Sequence, residues 1–175
     1  KFLIPGAYTA FVRLASLKAV LTYSYTNLVV PIALMACIQI DSFDFTRLTG
    51  LMLSWLLVHM VYELGYFMND FFAVDAKGNW RDIPNIARND VMGIFAVKVL
   101  LVVSYVYCLN DLVWGSLAGV LFLVYLFHNY LQKPYRLFTF VLLRILKFSP
   151  FIYFQYEVSS ILFLYFLVFG ILEGL

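Results

Sequence analysis

Apolar runs follow one another along this chain, each close to the roughly 20 residues an α-helix needs to cross a bilayer. They extend from Leu14 to Ile40, Leu48 to Met68, Val91 to Leu109, Leu112 to Leu131, Leu137 to Phe154 and Ser159 to Glu173. Lipid offers no partner to an unpaired backbone N–H or C=O, so such runs are expected to be helical. The connectors are short except for Asn69 to Asp90, and Asn110-Asp111 reads as a tight hairpin turn between the third and fourth runs. The expected fold is all-α: a polytopic transmembrane helix bundle of about six spans forming a single domain over residues 1–175. Composition agrees. The chain is 64% hydrophobic and 13% charged, whereas a soluble domain is about 45–50% apolar and about 25% charged.

Several classes are set aside at this stage. A net charge of +2 points to no nucleic-acid partner. Cys37 and Cys108 lack metal-ligand spacing and read as buried small hydrophobes. No small-residue cleavage pattern follows the first run, so no cleaved signal peptide is expected. No repeat of 20–50 residues is evident.

Basic residues near span ends mark the cytoplasmic side. Lys1, Arg13 and Lys18 flank the first run, Lys77, Arg81 and Arg88 lie in the long connector with Lys98 just beyond it, and Lys133 and Arg136 precede the fifth run. With alternating spans all of these fall on one side, while the opposite connectors hold only Arg47 beside Asp41, Asp44, Asp111 and Glu157. The N-terminus is therefore expected in the cytoplasm.

Ionisable groups inside a span are costly and mark function by default. The second run holds His59 and Glu63, the fifth Arg144 and Lys147. His59, Glu63, Tyr66 and Asp70 recur at helical spacing and are expected on one face. Glu63 and Arg144 each lie roughly 10 Å from the cytoplasmic rim at about 1.5 Å per residue. They are expected to pair, with Lys147 deeper. Asn27 and Pro31 in the first run either line a cavity or kink a helix.

The segment Glu63-Leu64-Gly65-Tyr66-Phe67-Met68-Asn69-Asp70, continuing to Asp75 and a basic loop, carries the most chemistry. Carboxylate and amide oxygens of Asn69, Asp70 and Asp75 suit Mg²⁺, which bridges to phosphate oxygens. Lys and Arg would balance the remaining phosphate charge. This arrangement resembles the UbiA-type intramembrane prenyltransferase superfamily, whose members carry a cytoplasmic Asn-Asp-x-x-Asp-x-x-x-Asp motif after the second span. The departures are specific. Ala73 and Lys77 stand where the family has its later aspartates, and Asp75 lies about 140° around a helix from Asp70. The family's second Asp-rich motif follows its sixth span, near where Gly174-Leu175 stand, and its bundle usually has nine helices. The chain is thus expected to be part of a longer bundle.

The resemblance implies a Mg²⁺-dependent transferase in a prokaryotic cell membrane or an organelle membrane, moving a prenyl group from an isoprenoid diphosphate or acting on a polyprenyl phosphate. Asn69, Asp70 and Asp75 would hold the metal. Lys18, Lys77, Arg81 and Arg136 would contact phosphate, and Glu63, Tyr66, Arg144 and Lys147 would shape the inner cavity. The aromatic content of 18 Phe, 13 Tyr and 3 Trp suits a lipid-tail tunnel. The alternative is a non-catalytic UbiA-like subunit that binds membrane lipid or assembles with a membrane-protein partner. A small transporter is a third reading, without the repeated halves such proteins often show.

Overall fold

The structure is a computed structural model that describes residues 4, 6–14, 16–33, 45–72, 90–131, 133–153, 164, 168 and 171–172. All regular elements among them are helical. A π-helical segment, Thr9–Leu14, precedes α1 (Leu17–Ser24), which opens into a second π-helix over Tyr25–Val29. Then come α2 (Phe45–Phe71), α3 (Val91–Leu109), α4 (Leu112–Tyr130), α5 (Lys133–Lys147) and α6 (Ser149–Tyr153). Three helical stretches, Leu48–Phe71, Val91–Leu109 and Leu112–Tyr130, are long and apolar enough to cross a membrane. These are the marks of a multi-pass membrane protein.

The first predicted run is not one continuous helix from Leu14. Ser16 has extended backbone and its hydroxyl accepts from the Ala19 N–H at 3.1 Å, which starts α1 afresh. Farther on, Pro31 has no N–H to offer the carbonyl of Asn27. That carbonyl instead accepts from the Trp55 indole at 3.1 Å, tying the widened π-helical stretch to α2. The fifth predicted run is interrupted as well. α5 ends at Lys147, the Ser149 hydroxyl donates to the Leu146 carbonyl at 2.6 Å, and Pro150 sits in the first turn of α6, where its missing N–H costs nothing. The sixth predicted run lies outside the described residues except for Leu164, Val168, Ile171 and Leu172.

The third and fourth runs form the expected hairpin. Asn110 adopts a left-handed backbone, φ 48°, and closes α3, while the Asp111 carboxylate accepts from the Val113 N–H at 2.8 Å and opens α4. Asn tolerates that conformation and Asp is a strong N-cap, so two residues suffice for the reversal.

α2 is the central helix. Its apolar window is 67% buried, against 11% for α3. α3 runs antiparallel to it, since Lys98 meets Glu63 and the Tyr105 hydroxyl donates to the Leu53 carbonyl. The hairpin then makes α4 parallel to α2, and Tyr125 packs edge-on against Tyr62 and Tyr66. Leu57, Val58, Val61, Ala118, Leu121 and Leu143 complete this core. Helices in lipid gain little from hydrophobic exclusion, so close approach at small residues matters. Gly65 supplies it, because a Cβ there would lie 2.3 Å from the Tyr125 ring. Cys108, expected to be buried, is exposed on α3. Cys37 lies outside the described residues.

Candidate functional site

The single polar face expected on α2 divides into two stripes with different neighbours. Glu63, Phe67 and Asp70 face the N-terminal segment and α3. Trp55, His59, Tyr62 and Tyr66 face α1 and the cavity beside it.

The first stripe is a clamp. Glu63 Oε1 accepts from the backbone N–H groups of Tyr8 and Thr9 at 2.6 and 3.2 Å. Its Oε2 accepts from the Gly6 N–H and from Lys98 Nζ, both at 3.0 Å. Gly6 has φ +82°, a left-handed conformation that glycine adopts without strain and that lets the N–H groups of Gly6, Tyr8 and Thr9 converge on one carboxylate. Lys98 and Glu63 are both buried, and the three backbone N–H groups on the carboxylate add to the ion pair in offsetting the cost of that burial. Two turns on, the Tyr8 hydroxyl donates to Asp70 Oδ2 at 2.7 Å. Tyr8 is fully buried, with its ring edge-on to Phe67. The partner of Glu63 is therefore Lys98, not Arg144. The Arg144 guanidinium lies 4.9 Å from the Phe140 ring centroid, and the buried Lys147 ammonium lies 5.2 Å from that of Tyr23 and 5.4 Å from that of Phe148.

Sequence reasoning placed Lys98 among the connector charges and passed over Tyr8. A signal for Lys98 was present: it is a lysine inside an apolar run, eight residues in from Asp90, as Glu63 is seven in from Asp70. Antiparallel helices bring such residues to one depth.

The second stripe lines a cavity of about 240 Å³ between α1, the N-terminal segment and α2. Tyr23, Trp55, His59, Tyr62 and Tyr66 give it an aromatic wall, and Gly6 and Thr9 close one side. The His59 ring lies 3.8 Å from Trp55, 5.8 Å from Tyr23 and 6.4 Å from Tyr62, measured between centroids. Its Nδ1 donates to the Trp55 carbonyl at 2.9 Å, and its Nε2 is buried without a partner. A second cavity of about 340 Å³ lies between α2, α3 and α4, lined by aliphatic residues such as Val102 and Val106 with Gly115 and Gly119.

The remaining predicted residues are dispersed. Asn69 is half-buried and follows Tyr66 along the cavity stripe by three residues. Lys18 is exposed at the start of α1. Arg136 donates to the carbonyls of Leu131 and Asn129 at 2.9 and 3.3 Å, capping the C-terminus of α4. Asp75, Lys77 and Arg81 lie outside the described residues. The described residues do not by themselves fit a Mg²⁺ ion. Asn69 and Asp70 are helix neighbours about 100° apart, Asp70 is 7% exposed, and Tyr8 donates to its carboxylate. Among the described residues no three His, Cys, Asp or Glu side chains gather closely enough to hold a metal.

No protein-family model, curated protein or solved structure matches this chain.

Proposed function

We propose that this chain is a UbiA-like membrane subunit that binds an isoprenoid-type lipid within the bilayer, with the N-terminus and the Asn69–Asp70 end facing the cytoplasm. The observation that carries this reading is the aromatic cavity beside α2, walled by Tyr23, Trp55, Tyr62 and Tyr66. Flat rings on several sides suit the planar double bonds and branched methyls of a prenyl chain, and such concave, mostly apolar sites are where small ligands bind. The saturated Glu63 carboxylate favours a binding role over acid–base work. With two N–H donors on one oxygen and an N–H and an ammonium on the other, it has no lone pair left for a substrate proton.

A transferase is the second reading, in which Asn69, Asp70 and Asp75 hold Mg²⁺ and a diphosphate. The position of Asn69 on the cavity stripe and of Asp70 beside it favours this reading, since a lipid seated among the tyrosines would extend toward both. The two are separated by incubating the full chain in nanodiscs with radiolabelled geranylgeranyl diphosphate, with and without Mg²⁺. Saturable binding without release of diphosphate is the result expected for a binding subunit. Mg²⁺-dependent diphosphate release that Asp70→Asn abolishes would establish the transferase instead.

A further inference from the structure

One wall of the cavity beside α2 differs from the others in how it is held. α2 is the central helix, and the π-helical stretch after α1 is tied to it by the Trp55 indole at the Asn27 carbonyl. The third wall is the N-terminal segment, which lines the cavity with Gly6, Thr9, Ala10 and Leu14. Ala10 lies against the cavity while its neighbour Phe11 is 58% exposed, so this wall is a single helical layer. Among the described residues its polar hold on α2 rests on two carboxylates. Glu63 accepts from the N–H groups of Gly6, Tyr8 and Thr9, and Asp70 accepts from the Tyr8 hydroxyl. The Tyr8 ring, packed on Phe67 and Phe71, adds an apolar part to the same hold.

The segment is also bounded by two breaks in the backbone. Gly6 is left-handed at one end, and Ser16 is extended at the other. Between them Thr9–Leu14 is a π-helix, a rare geometry found mostly at functional sites. Hinges are a few residues at element ends that absorb changes in φ and ψ. Ser16 is placed as one, because α1 begins afresh after it. The carboxylate contacts lie at the opposite end of the same wall, on Gly6, Tyr8 and Thr9. A short element with a hinge at one end and a local hold at the other opens at a lower free energy than the packed core.

We propose that the segment over residues 6–14 is the gate of this cavity: it swings about Ser16 when the N–H groups of Gly6, Tyr8 and Thr9 leave Glu63, and ligand enters beneath it. The gate rests on the lipid-binding reading above only for what passes through it, and its primary test needs no ligand. Gly6→Ala weakens the closed segment alone, since the added methyl meets nothing within 4 Å and only the left-handed backbone is penalised. The probe is N-ethylmaleimide labelling of the full chain in nanodiscs, with Cys37 and Cys108 replaced by serine and one cysteine placed at Met60, which lines the cavity and is 8% exposed. Labelling follows the open population where reclosing outpaces reaction, so Gly6→Ala is expected to speed it about tenfold. Tyr8→Phe is expected to speed it about fivefold, and it carries the comparison where Gly6→Ala does not fold. A control cysteine at Val124, equally buried in the core of α4, is expected to label at an unchanged rate. Equal acceleration at both positions, or none at Met60, would overturn the gate. In a second arm, tritiated farnesol is expected both to bind and to leave the Gly6→Ala protein faster. A fixed wall would change release alone, and that result would overturn the gate as the ligand's route. Absence of saturable farnesol binding would overturn the lipid-binding reading, while the thiol rates decide the gate by themselves.

Discussion

Gly65→Ala tests whether the contact between α2 and α4 is as close as the tyrosine packing requires. The added methyl would sit 2.3 Å from Tyr125 Cδ1 and 2.4 Å from both Cε1 and Cγ. Carbon atoms settle at about 3.5–4.0 Å, so the ring must withdraw by more than about 1 Å. It has little room to do so. Tyr125 is 3% exposed, and Tyr62 and Tyr66 stand edge-on to it at centroid distances of 5.3 and 6.5 Å. Overpacking of this kind costs about 1–3 kcal/mol. Alanine's better helix propensity offsets at most about 1 kcal/mol. A net loss of about 1–2 kcal/mol corresponds to a fall in Tm of about 2–8 °C for a chain of this size. The assay is thermal unfolding of the full chain in one detergent, with Gly119→Ala on α4 as the control. A Cβ at Gly119 meets nothing within 4 Å, so that variant gains the helix propensity without the clash and is expected to melt at or a few degrees above the wild type. Tyr125→Leu combined with Gly65→Ala should recover part of the loss, since a leucine can move aside where the wedged ring cannot. Refutation would be a Gly65→Ala protein as stable as Gly119→Ala.

Two further outcomes follow from the clamp. Lys98→Met leaves Glu63 buried without its cation and is expected to destabilise by about 3–5 kcal/mol. The double variant Lys98→Met/Glu63→Gln should unfold at a higher temperature than Lys98→Met alone, and the opposite order would show that the ion pair is not what holds the segment. Tyr8→Phe removes the hydrogen bond to Asp70 and is expected to cost about 1 kcal/mol. It should speed labelling of a cysteine placed at Thr9, and unchanged labelling would separate Tyr8 from the anchoring of that segment.

The turn between α3 and α4 was legible because its determinants are local. Asn110 accepts a left-handed backbone and Asp111 caps the next helix, and neither needs a tertiary neighbour. The breaks near Ser16 and Pro150 were carried by local signals too, yet hydropathy averaged over about 20 residues does not register a single cap or a missing N–H. The division of the α2 face was beyond the sequence pattern. The spacing from His59 to Asp70 places four side chains on one side of a helix, and which neighbour each one meets is decided by where Tyr8 and Lys98 arrive. Equal depth also proved a weak guide to pairing. It allowed Glu63 to meet Arg144 as readily as Lys98, whereas packing sets α3 directly against the Glu63 side of α2. The aromatic cavity could not be read from aromatic content, because Phe, Tyr and Trp occur throughout the apolar runs.

The central claim is that an isoprenoid-type lipid occupies the cavity beside α2. Photo-crosslinking the full chain in nanodiscs with a diazirine-bearing farnesol, followed by peptide mapping, tests it most directly. Labelling concentrated on the cavity wall around Tyr23, Trp55 and Tyr66, and suppressed by excess farnesol, is the predicted result. Labelling confined to outward-facing positions on α3 such as Leu100, Val103 and Tyr107, unchanged by competitor, would contradict it.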